Sequence, residues 1–176
     1  VDFAYFLGNI RKIGFDILRG QGRGKSLKPP AAKDMEEAMK LVYARRDTLT
    51  RLSGVYIEIA QQGRVKTLCR GNSHTFGHCY AMNGEAAFVT AKGDIYACSS
   101  LIGNQDFYLG NVITGIEQEL VEKTMLFISE SMAFCRQCSD FQLCGGGCFA
   151  RWYGMDDKED YGAECAMKRV SIKQVV

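Results

Sequence analysis

Eight cysteines mark this sequence, and half of them fall in one short block. It reads Cys135-Arg-Gln-Cys138, then five residues to Cys144, then Gly145-Gly146-Gly147 and Cys148. Four thiols within fourteen residues is chelate spacing. A C-x-x-C pair sets two sulfurs on one turn of chain, converging on one centre. Iron–sulfur clusters take four such thiolates, and structural zinc uses similar pairs. Disulfides are the third chemistry that an even count of eight admits. Disulfide-dense scaffolds are small domains without a core, usually under ~80 residues. This chain has 176 residues and does not need staples. Iron–sulfur ligation is therefore favoured over zinc and disulfides. The glycine triplet supports it, because Gly145 to Gly147 put no side chain between two candidate ligands. Glycine also lets backbone N–H groups come close to anionic sulfur.

The other cysteines are Cys69, Cys79, Cys98 and Cys165. Thirteen residues separate Cys79 from Gly93, and four more lead to Cys98. The series Cys79-x13-Gly93-x4-Cys98, Cys135-x2-Cys138-x5-Cys144-x3-Cys148 and Cys165 resembles the seven-cysteine signature of the SPASM domain. That domain is the C-terminal extension of many radical S-adenosylmethionine enzymes. The surrounding text is similar too: Gly93-Asp94-Ile95-Tyr96-Ala97-Cys98, Leu109-Gly110-Asn111-Val112, and Cys144-Gly145-Gly146-Gly147-Cys148-Phe149-Ala150-Arg151. The resemblance covers about residues 69–170.

It implies two auxiliary [4Fe–4S] clusters. Cys135, Cys138, Cys144 and Cys165 would hold the second. Cys79, Cys98 and Cys148 would hold three irons of the first, with Cys69 the candidate for the fourth. Some members leave that iron open for substrate, and a buried thiol is the plain alternative for Cys69. The radical-generating motif of the superfamily, C-x3-C-x2-C, does not occur here, since position 151 is Arg. S-adenosylmethionine is thus expected to bind only the intact enzyme. The chain is expected to be its C-terminal fragment, also because it opens on Val1 rather than Met. In that enzyme the resemblance implies a peptide or protein substrate, cross-linked or oxidised on a side chain. In sulfatase-maturing members a carboxylate directly follows the cysteine of the G-x4-C element. Ser99 stands there instead, which leaves peptide cross-linking ahead. A zinc-stabilised interaction module and a disulfide-bonded extracellular binder are the readings from other classes.

The elements that must position these thiols are partly legible. Phe3, Phe6, Leu7, Ile10 and Ile13 have helical spacing, with Gly14 to end the helix and Phe15–Leu18 as a short strand. This resembles the last helix and strand of a partial (β/α)6 barrel whose missing strands lie elsewhere; a local unit is the alternative. Arg19 to Pro30 is breaker-rich and reads as a linker or a loop over a cleft. Its Gly20-Gln21-Gly22-Arg23-Gly24-Lys25-Ser26 mimics the end of a phosphate loop without the first glycine. Asp34 with Glu37 suggests a capping box, followed by a helical stripe of Met35, Ala38, Met39, Val42, Leu49 and Leu52 that Arg45 and Arg46 interrupt. Val55, Ile57 and Ile59 alternate as a strand. Ala87–Thr90 and Ile95–Cys98 flank a turn and predict a hairpin that delivers Cys98. Ile116 to about Ala133 predicts a helix with Leu120, Val121, Met125, Ile128 and Met132 inward. Trp152 and Tyr153 are expected to shield a cluster. Asp156–Asp160 reads as a solvated loop, and the tail as a helix that then frays. His74 and His78 could ligate metal, but the cysteine set is complete without them.

The expected fold class is α+β, a small SPASM-type domain with a hairpin and helices around cluster loops. Residues 1–20 would be the barrel remnant, 21–68 the bridge and 69–176 the cluster domain. A net charge of +2 argues against a dedicated nucleic-acid binder. No apolar run reaches the roughly 18 residues of a membrane span. The N-terminus lacks the pattern of a signal peptide, so a cytoplasmic location is expected.

Overall fold

The computed structural model describes residues 1–17, 27–71, 79–153 and 161–176. Leu18, the glycine-rich run up to Ser26, His74, His78 and Asp156–Asp160 lie outside the described residues, as does the side chain of Trp152. The chain divides into two compact units. Residues 1–72, 142–144 and 154–176 make the first; 73–141 and 145–153 make the second.

In the first unit, α1 spans Asp2–Leu7 and stops at Gly8, whose φ of 71° is the left-handed conformation of a helix C-cap. The helix expected to run to Gly14 therefore ends one glycine earlier. No residue of α1 is buried, and Phe3 and Phe6 are exposed. The released segment forms β1, Lys12–Ile13, and the described part of the expected strand, residues 15–17, is not one. β1 pairs in parallel with β2, Glu58–Ile59, so the strand does find a partner within this chain. A parallel pair requires a long crossover, here carried by α2, Ala32–Ser53. Its N-cap is Ala31 without a side-chain bond, so the capping box at Asp34 and Glu37 does not form. Asp34 still lies in the first turn, where a negative charge suits the helix dipole.

The α2 stripe turns inward at Met39 and Tyr43, whereas Leu52 is exposed. Arg46 does not interrupt the buried face but belongs to it, at 3 % exposure. Its guanidinium stands over the rings of Tyr43 and Tyr56 at 5.1 and 5.2 Å and donates to Gln62 Oε1 at 2.9 Å. Ile57 and Ile59 are buried as the alternation requires, but the chain turns directly into α3, Ala60–Arg70, a helix the sequence reading did not anticipate. The C-terminal α8, Gly162–Ile172, packs along α2. Met39, Tyr43, Ile59, Met167 and Val170 share this core with Ile17 and Ala163. α8 is buried along most of its length, and the tail leaves the helix after Ile172.

The second unit is built on an antiparallel sheet in sequential order, β3 Phe88–Val89, β4 Asp94–Tyr96, β5 Tyr108–Asn111 and β6 Gly115–Ile116. The expected hairpin is β3–β4, with Phe88 opposite Tyr96. Gly110 has φ +140°, and a Cβ there would lie 2.1 Å from the carbonyl oxygen of Gly115, so only glycine allows β5 to pair with β6. α4, Gln118–Ser131, packs on β5 and buries Ile128, followed by Met132. Three one-turn helices carry the cysteine block: α5 Ala133–Arg136 and α7 Phe149–Trp152 in this unit, and α6 Phe141–Cys144, whose residues 142–144 fall in the first unit.

Candidate functional site

The sheet and its connections bring distant cysteines together. Cys79 opens a tight turn in which its carbonyl accepts the N–H of Met82. Met125 of α4 covers that turn at Gly84. Cys98 follows β4 in extended conformation, flanked by Ala97, whose N–H donates to the Phe107 carbonyl at 2.9 Å. Cys148 is the residue before α7, and its carbonyl accepts the N–H of Arg151 at 3.0 Å. Cys79 ties the other two segments together, one through Cys98 and one through the amide of Phe149. Its sulfur accepts backbone N–H groups from Met82, Phe149 and Ala81, and it lies within electrostatic reach of Cys98. Phe149 is the residue after Cys148, so the glycine block is anchored beside Cys79. Burial pushes the Cys79 thiol up, and the amide donors pull it back.

An aromatic group backs this arrangement. Phe107, with no exposed surface, meets Tyr153, Phe149 and Phe127 at ring separations of 5.1, 5.8 and 6.0 Å. Tyr153 belongs to this group, and its hydroxyl accepts from Asn104 Nδ2 at 2.7 Å. Sequence reasoning missed Phe107 because periodicity says nothing about a short turn of chain, and Phe127 because it sits on α4 beside the predicted inward stripe and is only partly covered.

The second expected set is spread over more elements. Cys135 is buried in α5, and the Cys138 N–H donates to the Cys135 carbonyl at 3.0 Å, a one-turn C-x-x-C. Cys144 ends α6 against Gly145 and Gly146, both left-handed at φ 69° and 74°. Cys165 lies in the first turn of α8. Burial raises its thiol pKa, and the charge of neighbouring Cys144 raises it further. Cys69 is exposed on the last turn of α3.

All eight cysteines are thiols rather than halves of disulfides. Among the described residues no three Cys, His, Asp or Glu side chains form a group able to hold a metal ion as they stand. Cys98 lies within electrostatic reach of Cys79, and Cys144 within that of Cys165. The donor set nevertheless fits a thiolate-bound iron–sulfur centre. Amide N–H groups on the Cys79 sulfur are the hydrogen bonds such centres use, and the left-handed glycines beside Cys144 leave a loop without side chains.

Neither a protein-family profile nor a curated protein sequence matches the chain. Solved structures do. The chain is similar to native anSMEcpe with bound AdoMet and Cp18Cys peptide at 19 % identity and TM-score 0.60, over 99 % of this chain and 52 % of that one. It is similar to native anSMEcpe with bound AdoMet at 21 % identity and TM-score 0.56, over 90 % of this chain and 45 % of that one. With bound AdoMet and Kp18Cys peptide the values are 22 % and 0.53, over 89 % and 46 %. The shared fold is what identity this low shows, and the chain spans about half the length of these structures. No described helix is long and apolar enough to cross a membrane.

Proposed function

We propose that this chain is part of a radical S-adenosylmethionine enzyme that modifies a peptide or protein, and that it contributes the auxiliary cluster portion. The carrying observation is that Cys79, Cys98 and the residue after Cys148, far apart in sequence, meet in one unit. The likeness to a fold solved with bound AdoMet and peptide supports the wider reading. In this proposal Cys79, Cys98 and Cys148 hold the first [4Fe–4S] cluster, with Cys69 as its fourth candidate. Cys135, Cys138, Cys144 and Cys165 hold the second. S-adenosylmethionine belongs to the intact enzyme, whose barrel this chain joins. Clusters of this kind supply one-electron redox chemistry and an open iron for ligation. The chain's own residues do the rest. The Met82, Phe149 and Ala81 amides orient the Cys79 sulfur, and the Phe107 aromatic group keeps water from its back.

Anaerobic reconstitution with iron and sulfide tests this. The chain should take up about eight irons and turn brown. Cys79→Ala and Cys165→Ala should each lose about four. A colourless protein that binds zinc stoichiometrically, or no iron after reconstitution, would overturn the proposal.

A further inference from the structure

One stretch of chain folds with the second unit although its neighbours on both sides do not. Residues 145–153 belong to the second unit, whereas 142–144 before them and 154–176 after them belong to the first. Glycines stand at both ends of the stretch, Gly145-Gly146-Gly147 and Gly154. Gly145 and Gly146 hold left-handed φ angles of 69° and 74°. Glycine takes either sign of φ at low cost, so the chain can swing about such a point. Two side chains of the stretch dock on the short turn Gln105–Phe107. Phe149 and Tyr153 both pack against the Phe107 ring, at 5.8 and 5.1 Å. The Tyr153 hydroxyl accepts from Asn104 Nδ2 at 2.7 Å and donates to Asp106 Oδ2 at 3.2 Å. Between the glycines and that hydroxyl, the Phe149 amide reaches the sulfur of buried Cys79.

We infer that Gly145–Tyr153 is a strap that opens and closes over Cys79, swinging on its glycines, with the Tyr153 hydroxyl as its latch. A segment opens at lower cost than its unit unfolds when the rest of the unit keeps its own hydrogen bonds. Here the sheet β3–β6 pairs strand to strand without the strap, and α4 is bonded within itself, so both persist when the strap lifts. Closed, the strap keeps reagents from the Cys79 thiol; open, it admits them. Applied to the proposed function, opening is the step that lets a metal reach Cys79. That consequence rests on the cluster reading, whereas the strap itself does not.

Alkylation of the full chain before any reconstitution tests this, with iodoacetamide as the probe and mass spectrometry of the peptides as the readout. The rate at Cys79 is followed at urea concentrations below the unfolding transition, which circular dichroism locates. Opening a strap exposes little surface, so that rate should hardly change with urea, whereas labelling through unfolding of the unit rises steeply. Tyr153→Phe keeps the ring and removes both hydroxyl bonds. It should raise the urea-independent rate by about fivefold to tenfold. Asp106→Ala removes one of the two bonds from an exposed position and should give a smaller rise in the same direction. An unchanged Cys79 rate in Tyr153→Phe would overturn the inference. So would a Cys79 rate that climbs with urea as steeply as unfolding itself, because the thiol is then reached only when the whole unit comes apart. Labelling needs no metal, so either failure leaves the cluster reading standing. Iron content after reconstitution judges that reading separately.

Discussion

Phe107 links the packing of the second unit to its cysteines, and truncating it should damage both. The residue has no exposed surface, and its ring meets those of Phe127, Phe149 and Tyr153. Phe107→Ala removes a buried aromatic side chain and leaves a cavity, a change that costs about 3–5 kcal/mol. Three aromatic contacts, each worth about 0.5–1.5 kcal/mol beyond area, place it at the upper end. With a urea dependence of about 2 kcal/mol per molar, the unfolding midpoint should fall by roughly 2 M. The backbone bond from Ala97 to the Phe107 carbonyl survives the substitution, so Cys98 keeps its flank. Phe149 loses a ring partner, and its amide is one of the donors to Cys79. The variant should therefore also retain less iron after anaerobic reconstitution. Phe107→Leu keeps most of the volume and should cost under about 1.5 kcal/mol. Urea unfolding followed by circular dichroism reads the first effect, and iron analysis the second. An Ala variant within about 1 kcal/mol of the parent would refute the claim that this ring organises the unit.

Other perturbations probe single steps of the same reasoning. Gly110→Ala should cost roughly 2–4 kcal/mol and free the Glu117 amide, now bonded to the Leu109 carbonyl at 2.8 Å, to exchange with solvent; unchanged protection at Glu117 would contradict the close approach. Tyr43→Phe removes a buried hydroxyl that donates to Ser171 Oγ at 2.8 Å and should cost about 1 kcal/mol in urea unfolding. Burial raises the Tyr43 pKa above its ordinary value, outweighing Ser171 and Arg46, which lower it. The folded state thus holds that proton more tightly than the unfolded one. Its contribution is complete below about pH 10 and is lost as pH rises through the folded value. The alkaline loss of stability should be shallower in Tyr43→Phe, and identical slopes would exclude the mechanism. Iodoacetamide at neutral pH should label exposed Cys69 before buried Cys79, as mass spectrometry of the labelled peptides would show.

What could be read from sequence was what local chemistry enforces. The hairpin at Phe88–Tyr96 and the helix at Gln118–Ser131 follow from alternation and from helical spacing, and both form. The N-terminus was misread because its spacing allows a helix through Ile13, while Gly8 offers an earlier left-handed stop. Tertiary pairing then decides: Lys12–Ile13 gains a strand partner in Glu58–Ile59 that helical periodicity cannot reveal. Arg46 was read as a break in the apolar face for a similar reason. A guanidinium is polar as a residue type, yet two tyrosine rings and Gln62 make a buried place for it. Tyr43 lies one turn back on the same helix, but Tyr56 and Gln62 come from beyond it.

The site divides along the same line. Cys135-x2-Cys138 is visible in sequence because a single turn makes it, and the Cys138 N–H bond to the Cys135 carbonyl is that turn. The meeting of Cys79, Cys98 and Phe149 is long-range and depends on a sheet, on the Gly110 close approach and on the Phe107 rings. Motif resemblance could suggest that these cysteines belong together, but not which groups hold them there. The amide donors were invisible for a deeper reason. Every residue has a backbone N–H, so no residue type announces that the one at Phe149 faces a sulfur. The same holds for Glu164 and Lys168, whose spacing is that of an ordinary surface pair although both are buried. Thiol identity is thus written in residue types, whereas thiol environment is written in the fold. Substitutions around the sulfurs, rather than of the sulfurs, are therefore where the structure adds most to the chemistry the cysteines announce.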